Sequence, residues 1–152
     1  AYQSIWKLID APSQAVPFLQ ERLRPASPVD RDKIARLVAD LDSREFAVRE
    51  KAEQELAKLG EAAETALRKA QTRSASPEVR RRSDKLLDQL AKAVPPPETL
   101  RALRAIEVLE HIGGVEAQKV LHKLATGAPE TRVTQEAILS LERLTRRRAL
   151  AR

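Results

Sequence analysis

The chain has 152 residues, 42% of them hydrophobic and 33% charged, with a formal net charge of +6. That length is enough for one domain, burying roughly 70% of the unfolded surface. With no cysteine in the sequence, disulfide frameworks and thiolate metal ligation are excluded, and no run approaches the ~20 apolar residues of a membrane span.

A helix is predicted over 2–10, carrying Ile5, Trp6, Leu8 and Ile9 and ending before Pro12 because the residue preceding proline is pushed out of the helical region. A second follows over 13–23, with Pro17 expected near its first turn, where a missing amide donor costs little. RPASPVD (24–30) reads as a linker. Asp30 is placed to cap a helix with Ile34, Leu37, Val38 and Leu41 inward. Ser43 is expected to cap the next helix, which puts Val48, Ala52, Leu56 and Leu59 on one face and stops at Gly60. A shorter helix covers 61–72. Ser76 then caps a helix opened by Pro77, with Val79, Leu86, Leu87, Leu90 and Val94 as its stripe.

Three prolines at 95–97 are the strongest internal break. Pro97 opens a helix with Leu100, Leu103, Ile106, Leu109 and Ile112 inward, which ends at Gly113-Gly114. A helix over 115–125 follows. TGAPE then separates a last one carrying Val133, Ala137, Ile138, Leu141 and Leu144. The closing TRRRALAR is expected to fray. No segment alternates at period two, so the prediction is nine helices and no strand. Leu56, Leu59, Leu67, Leu86, Leu90, Leu103, Ile106, Leu109, Leu121 and Leu141 are expected in the core.

One pattern recurs three times: a helical stretch ends, the chain breaks, and an alanine follows with apolar residues three and four positions later. The copies are anchored by Ala15, Phe18 and Leu19, by Ala63, Ala66 and Leu67, and by Ala117, Val120 and Leu121. The alanines lie 48 and 54 residues apart, near the ~40–47-residue period of antiparallel helical-pair repeats. Such a pair cannot bury its apolar face alone and stacks on its neighbours. The expected fold is therefore all-α, a HEAT/armadillo-like solenoid forming a single domain over 1–152. Within it, 1–23 would be the first pair, 30–94 the middle helices, 97–146 the last helices and 147–152 a fraying tail.

Three stretches carry a resemblance: LDSREFAVREKAEQELAKLGEAAETALRKA, SPEVRRRSDKLLDQL and ETLRALRAIEVLEHIGGVEAQKVLHKLATGAPETRVTQEAILSLERL. Together they resemble the HEAT-like helical region of planctomycete bacterial proteins, which often lies C-terminal to WD-repeat β-propellers. The resemblance covers nearly the whole chain, including AVPFLQERLRP. It implies an α-solenoid-like domain appended to a larger scaffold, and it brings no functional residues with it. The chain starts at Ala1 already inside a helical pattern, and is read as a piece of a longer protein.

The search for chemistry yields little. His111 lies four residues after Glu107 and His122 four after Gln118, a helical spacing that suits a metal pair but lacks a second ligand cluster. Glu61/Glu64 and Glu50/Glu53 are flanked by Lys and Arg, as on solvated faces stitched at i,i+3 and i,i+4. No serine has a nucleophile-elbow context, and Gly113-Gly114 lacks the rest of a phosphate-binding loop. No enzyme activity, metal or cofactor is expected. Among the basic residues, Arg80, Arg81, Arg101 and Arg104 are the candidate partner-facing surface. Solvated surface, an acidic protein partner and nucleic acid all remain open for it. The Arg-rich segments lack the aromatic platforms of base-stacking proteins. A protein-interaction or scaffolding module is expected, with weak, salt-dependent nucleic-acid binding as the alternative. The partner is expected to be a protein of unknown identity, with no membrane involvement. Absence of cysteine fits a reducing compartment, so a cytoplasmic location is the expectation.

Overall fold

The structure, a computed structural model, describes the backbone of residues 2–150 and the side chains of residues 5–150. The described residues form nine α-helices and no strand: α1 (Tyr2–Ile9), α2 (Pro12–Arg22), α3 (Arg31–Asp40), α4 (Phe46–Leu59), α5 (Glu61–Arg73), α6 (Pro77–Lys92), α7 (Pro97–Ile112), α8 (Val115–Ala125) and α9 (Arg132–Leu150). Local chemistry sets the starts. Asp30 Oδ1 accepts the Lys33 amide at 2.8 Å, and Ser76 Oγ accepts the Val79 amide at 3.4 Å. Pro12, Pro77 and Pro97 occupy first-turn positions, where no intrahelical donor is needed. Gly60 ends α4 at φ 58°, ψ −130°, a conformation open in practice only to glycine, and so lets α5 begin at the next residue.

The helices group into two compact units. One comprises the chain up to Pro28 together with the chain from Pro95, and the other is Val29–Val94. In the first, the α1–α2 pair packs on α7 and α8, and α9 covers both of those helices. Its centre is Ile106, Leu109 and Leu121, all without solvent exposure, joined by Val16, Leu19 and Leu23 from α2 and its end. In the second, α3 packs on α4 and α5 while α6 closes over both, around Leu41, Leu56, Leu67 and Leu86. The anchor alanines Ala15, Ala63 and Ala117 are 2%, 0% and 1% exposed.

One backbone approach in the first unit has no room for a side chain. Ala128 donates its amide to the Ala26 carbonyl at 3.1 Å. A Cβ on Gly127 would stand 2.7 Å from Ala26 N and 2.6 Å from Thr134 Oγ1. This contact ties the segment after α2 to the α8–α9 turn.

Several sequence expectations are revised. The first helical pair packs on the third, whereas a consecutive stack would place the second between them. The reason is that Val29–Val94 closes a core of its own. Pro17 lies in the second turn of α2, so the bond to the Ser13 carbonyl is missing from the helix interior. Ser43 Oγ accepts from the Glu45 amide at 3.2 Å and so shapes the turn before α4, whose N-cap residue is Glu45. The tail expected to fray from 147 is helical to Leu150, held in part by Arg147; residues 151–152 lie outside the described residues. Leu59, Leu90, Leu103 and Leu141 are half-buried, because each lies at the edge of its helix stripe. Phe18, Val94 and Ile138 are exposed at 45%, 81% and 40%.

Candidate partner-binding groove and buried charge clusters

An open groove of about 770 Å³ runs across the first unit between α1, α2 and α7. Helical spacing builds it. Glu98, Arg101, Ala105 and Val108 follow each other at three- and four-residue steps and share one side of α7, with Ala102 beside them. Ala102 and Ala105 are short, so a depression remains between α7 and α2. Leu8, Leu19 and Leu23 complete an apolar floor. Phe18 forms part of the wall, and the Arg22 guanidinium stacks 3.8 Å from its ring centre.

Four cations rim this floor: Arg22, Arg24, Arg101 and Arg104, against one carboxylate, Glu98. Arg22 and Arg24 donate to the backbone carbonyls of Phe18 and of Gln20 and Leu23. None of the four forms an ion pair among the described residues, whereas Arg68, Arg81, Arg82 and Arg143 are all paired with carboxylates. Of the four arginines singled out in the sequence, Arg101 and Arg104 thus meet in the groove. Arg80 and Arg81 belong to the other unit, on α6. Arg80 is exposed, and Arg81 is tied to Glu78 at 2.9 Å. Sequence reasoning missed Arg22 and Arg24. Their signal was the alternation Arg22-Leu23-Arg24 after a helix end, which turns both cations away from an inward leucine.

Two buried carboxylates organise the charge elsewhere. Glu53 on α4, 7% exposed, accepts from Arg82 and Lys85 of α6, and Arg82 Nε also donates to Glu78 at 2.6 Å. The sequence placed Glu53 on a solvated face. It is instead buried, because it lies three residues before the inward Leu56 and shares that side of α4. Burial opposes its ionisation, yet the hydrogen bonds and charges of Lys85 and Arg82 outweigh that and hold its pKa below the usual carboxylate range. Glu78 is lowered to about 2, first by its hydrogen bond from Arg81 and then by that from Arg82. In the first unit, Glu110 of α7 accepts from Ser140 at 2.5 Å, Arg143 at 2.6 Å and Arg147 at 2.9 Å, all on α9. Burial again opposes ionisation, and Arg143, Ser140 and Arg147 overcome it, so Glu110 is also lowered. Hydrogen bonds from Arg143 to Glu110 and Glu136 raise the Arg143 pKa. These clusters clamp helices together.

Neither histidine meets a ligand set. His111 Nδ1 donates to the Glu107 carbonyl at 2.9 Å, and the ring stands edge-on to Trp6 at 6.1 Å. Among the described residues no three His, Cys, Asp or Glu side chains converge on a common point. No described helix is long and apolar enough to cross a membrane. Fold and site together define a small all-α protein of short packed helices with a basic-rimmed apolar groove. No protein-family model matches the chain, and neither a curated protein nor a solved structure resembles it significantly.

Proposed function

We propose that this chain is a non-catalytic protein-interaction or scaffolding module, built from HEAT-like helical pairs and belonging to a larger, WD-repeat-associated protein. The observation that carries the reading is the groove: an open apolar floor edged by cations that form no ion pair among the described residues. A concave apolar floor with a polar, charged rim is a common form of interaction site. Helical pairs supply such grooves wherever two helices diverge over small side chains, as Ala102 and Ala105 do here.

The alternative, salt-dependent nucleic-acid binding, draws on the basic residues Arg80, Arg81, Arg101 and Arg104. It is disfavoured by the floor, where aliphatic side chains offer phosphates and base edges nothing, and by Phe18, whose ring already carries Arg22.

The test places a photo-crosslinking residue at position 102 of the groove and, separately, at exposed position 65 of α5 in the other unit, in cells producing the parent protein. The expected result is a defined cross-linked protein, from position 102 in particular, which then binds the purified chain in a binary titration. Sub-micromolar, sequence-dependent binding of labelled DNA or RNA at physiological ionic strength, abolished when Arg80, Arg81, Arg101 and Arg104 are changed to glutamate, would replace this reading with the nucleic-acid one.

A further inference from the structure

We infer that the groove between α1, α2 and α7 receives an amphipathic helix of a partner protein whose flanks are acidic. This rests on the interaction-module reading and specifies its ligand. Three features of the groove select that occupant. The first is size. The groove is open and holds about 770 Å³, which gives room for one face of a helix roughly 10 Å across.

The second feature is the floor. Leu8, Leu19, Leu23, Ala102, Ala105 and Val108 come from three helices and form an apolar strip. A helix presenting apolar side chains at i, i+3, i+4 and i+7 covers such a strip continuously, with its own backbone polar groups already satisfied. An extended peptide would bring unpaired amide and carbonyl groups onto aliphatic side chains, and no free strand edge exists among the described residues to receive them.

The third is charge. Arg101 and Arg104 line one bank from α7, and Arg22 and Arg24 line the other from α2 and its end. A single carboxylate, Glu98, stands against these four cations. Internal ion pairs quiet Arg81, Arg82, Arg143 and Arg147, but the four groove cations have none among the described residues. Glutamate or aspartate on both flanks of the docked helix supplies carboxylates to both banks, and guanidinium groups bind carboxylates in bidentate fashion. A basic or neutral helix would meet like charge or leave the banks unpaired, which is the basis for discrimination.

The experiment titrates the chain with fluorescein-labelled 16-residue helical peptides that share one leucine stripe and carry either glutamate or lysine on the flanks. The acidic peptide is expected to bind at least tenfold more tightly than the lysine peptide. Arg101→Glu with Arg104→Glu should reverse that order. Ala102→Trp, which fills the groove without altering charge, should weaken both peptides at least tenfold. Circular dichroism and melting of each variant confirm that these surface changes leave the fold in place. Equal binding of both peptides, or binding indifferent to Ala102→Trp, overturns the inference. So does displacement of the acidic peptide by single-stranded DNA that binds more tightly, or self-association of the chain that Ala102→Trp abolishes. If the acidic peptide fails while position 65 still cross-links a defined partner, the occupant is wrong and the module reading stands. If no partner cross-links from either position, the module reading falls as well.

Discussion

Ser83 and Ser140 are both without solvent exposure, yet they are opposite in what they do. Ser140 Oγ donates to the Glu110 carboxylate, whereas Ser83 Oγ, on α6, has no hydrogen-bond partner. Ser83→Ala is therefore expected to be neutral or slightly stabilising. Ser140→Ala should cost about 1.5–3 kcal/mol, the range for hydrogen bonds to charged groups. Urea unfolding of the two variants side by side checks the contrast. Leu109, at 0% exposure in the centre of the first unit, should lose on the order of 2–5 kcal/mol on replacement by alanine. The two buried carboxylates differ likewise. Removing Glu53 leaves Arg82, 7% exposed, with only Glu78 and a distant Glu50. Removing Glu110 leaves Arg143 and Arg147, 41% and 58% exposed, free to turn to solvent. Glu53→Ala should accordingly be the more damaging, at about 3 kcal/mol, the lower end for a broken buried pair.

Among the elements, α6 depends most visibly on its first turn. Ser76 accepts the Val79 amide and also donates to Asp42 at 2.5 Å. Ser76→Ala should lower stability by about 0.5–2 kcal/mol, read as a shift in unfolding midpoint with unchanged slope. The α8–α9 turn is limited by space. Gly127→Ala drives a methyl group against the Ala26 backbone and should cost about 1–3 kcal/mol, as overpacking does. Thermal melting should show it, and Gly114→Ala, which meets nothing within 4 Å, is the control. The α4–α6 and α7–α9 clamps also set a pH dependence. Glu53, Glu78 and Glu110 all titrate below 4.5 in the folded chain. A lowered folded pKa means the unfolded chain takes up protons first, so this stabilisation is complete above 4.5 and fades as pH falls towards about 2 for Glu78. Melting temperatures should fall across that window, and less steeply in Glu53→Gln.

For the molecule as a whole, the division into two units predicts separable folding. The Val29–Val94 unit encloses its own core and its own Glu53 clamp. Produced alone, residues 29–94 should be helical and unfold cooperatively, though with modest stability, since a chain of about 60 residues buries only about 60% of its surface. The complementary unit is formed from two distant stretches of sequence, so a fragment ending at residue 94 should leave its α1–α2 part without a core. Circular dichroism of the fragments distinguishes these outcomes. A featureless 29–94 spectrum would show that the second unit needs the rest of the chain.

Helix identity and order were written in the sequence, because they depend on interactions within a few residues. Asp30 and Ser76 cap locally, prolines and Gly60 interrupt locally, and the 3.6-residue stripes of Ile106, Leu109 and Leu121 mark an inward face whichever helix lies opposite. Even the buried Glu110 left a trace, lying four residues after Ile106 on that inward side. Partners were not legible. Nothing local to Ala15 or Ala117 states that the first helical pair packs on the third, since that depends on how far the Val29–Val94 segment closes on itself. The same holds for the groove. Arg101 and Arg104 share a helix side by spacing, but Arg22 and Arg24 join them only when α2 docks on α7. Periodicity tells which way a side chain points along its own helix axis; which element it then meets is fixed by the long-range closure of the core.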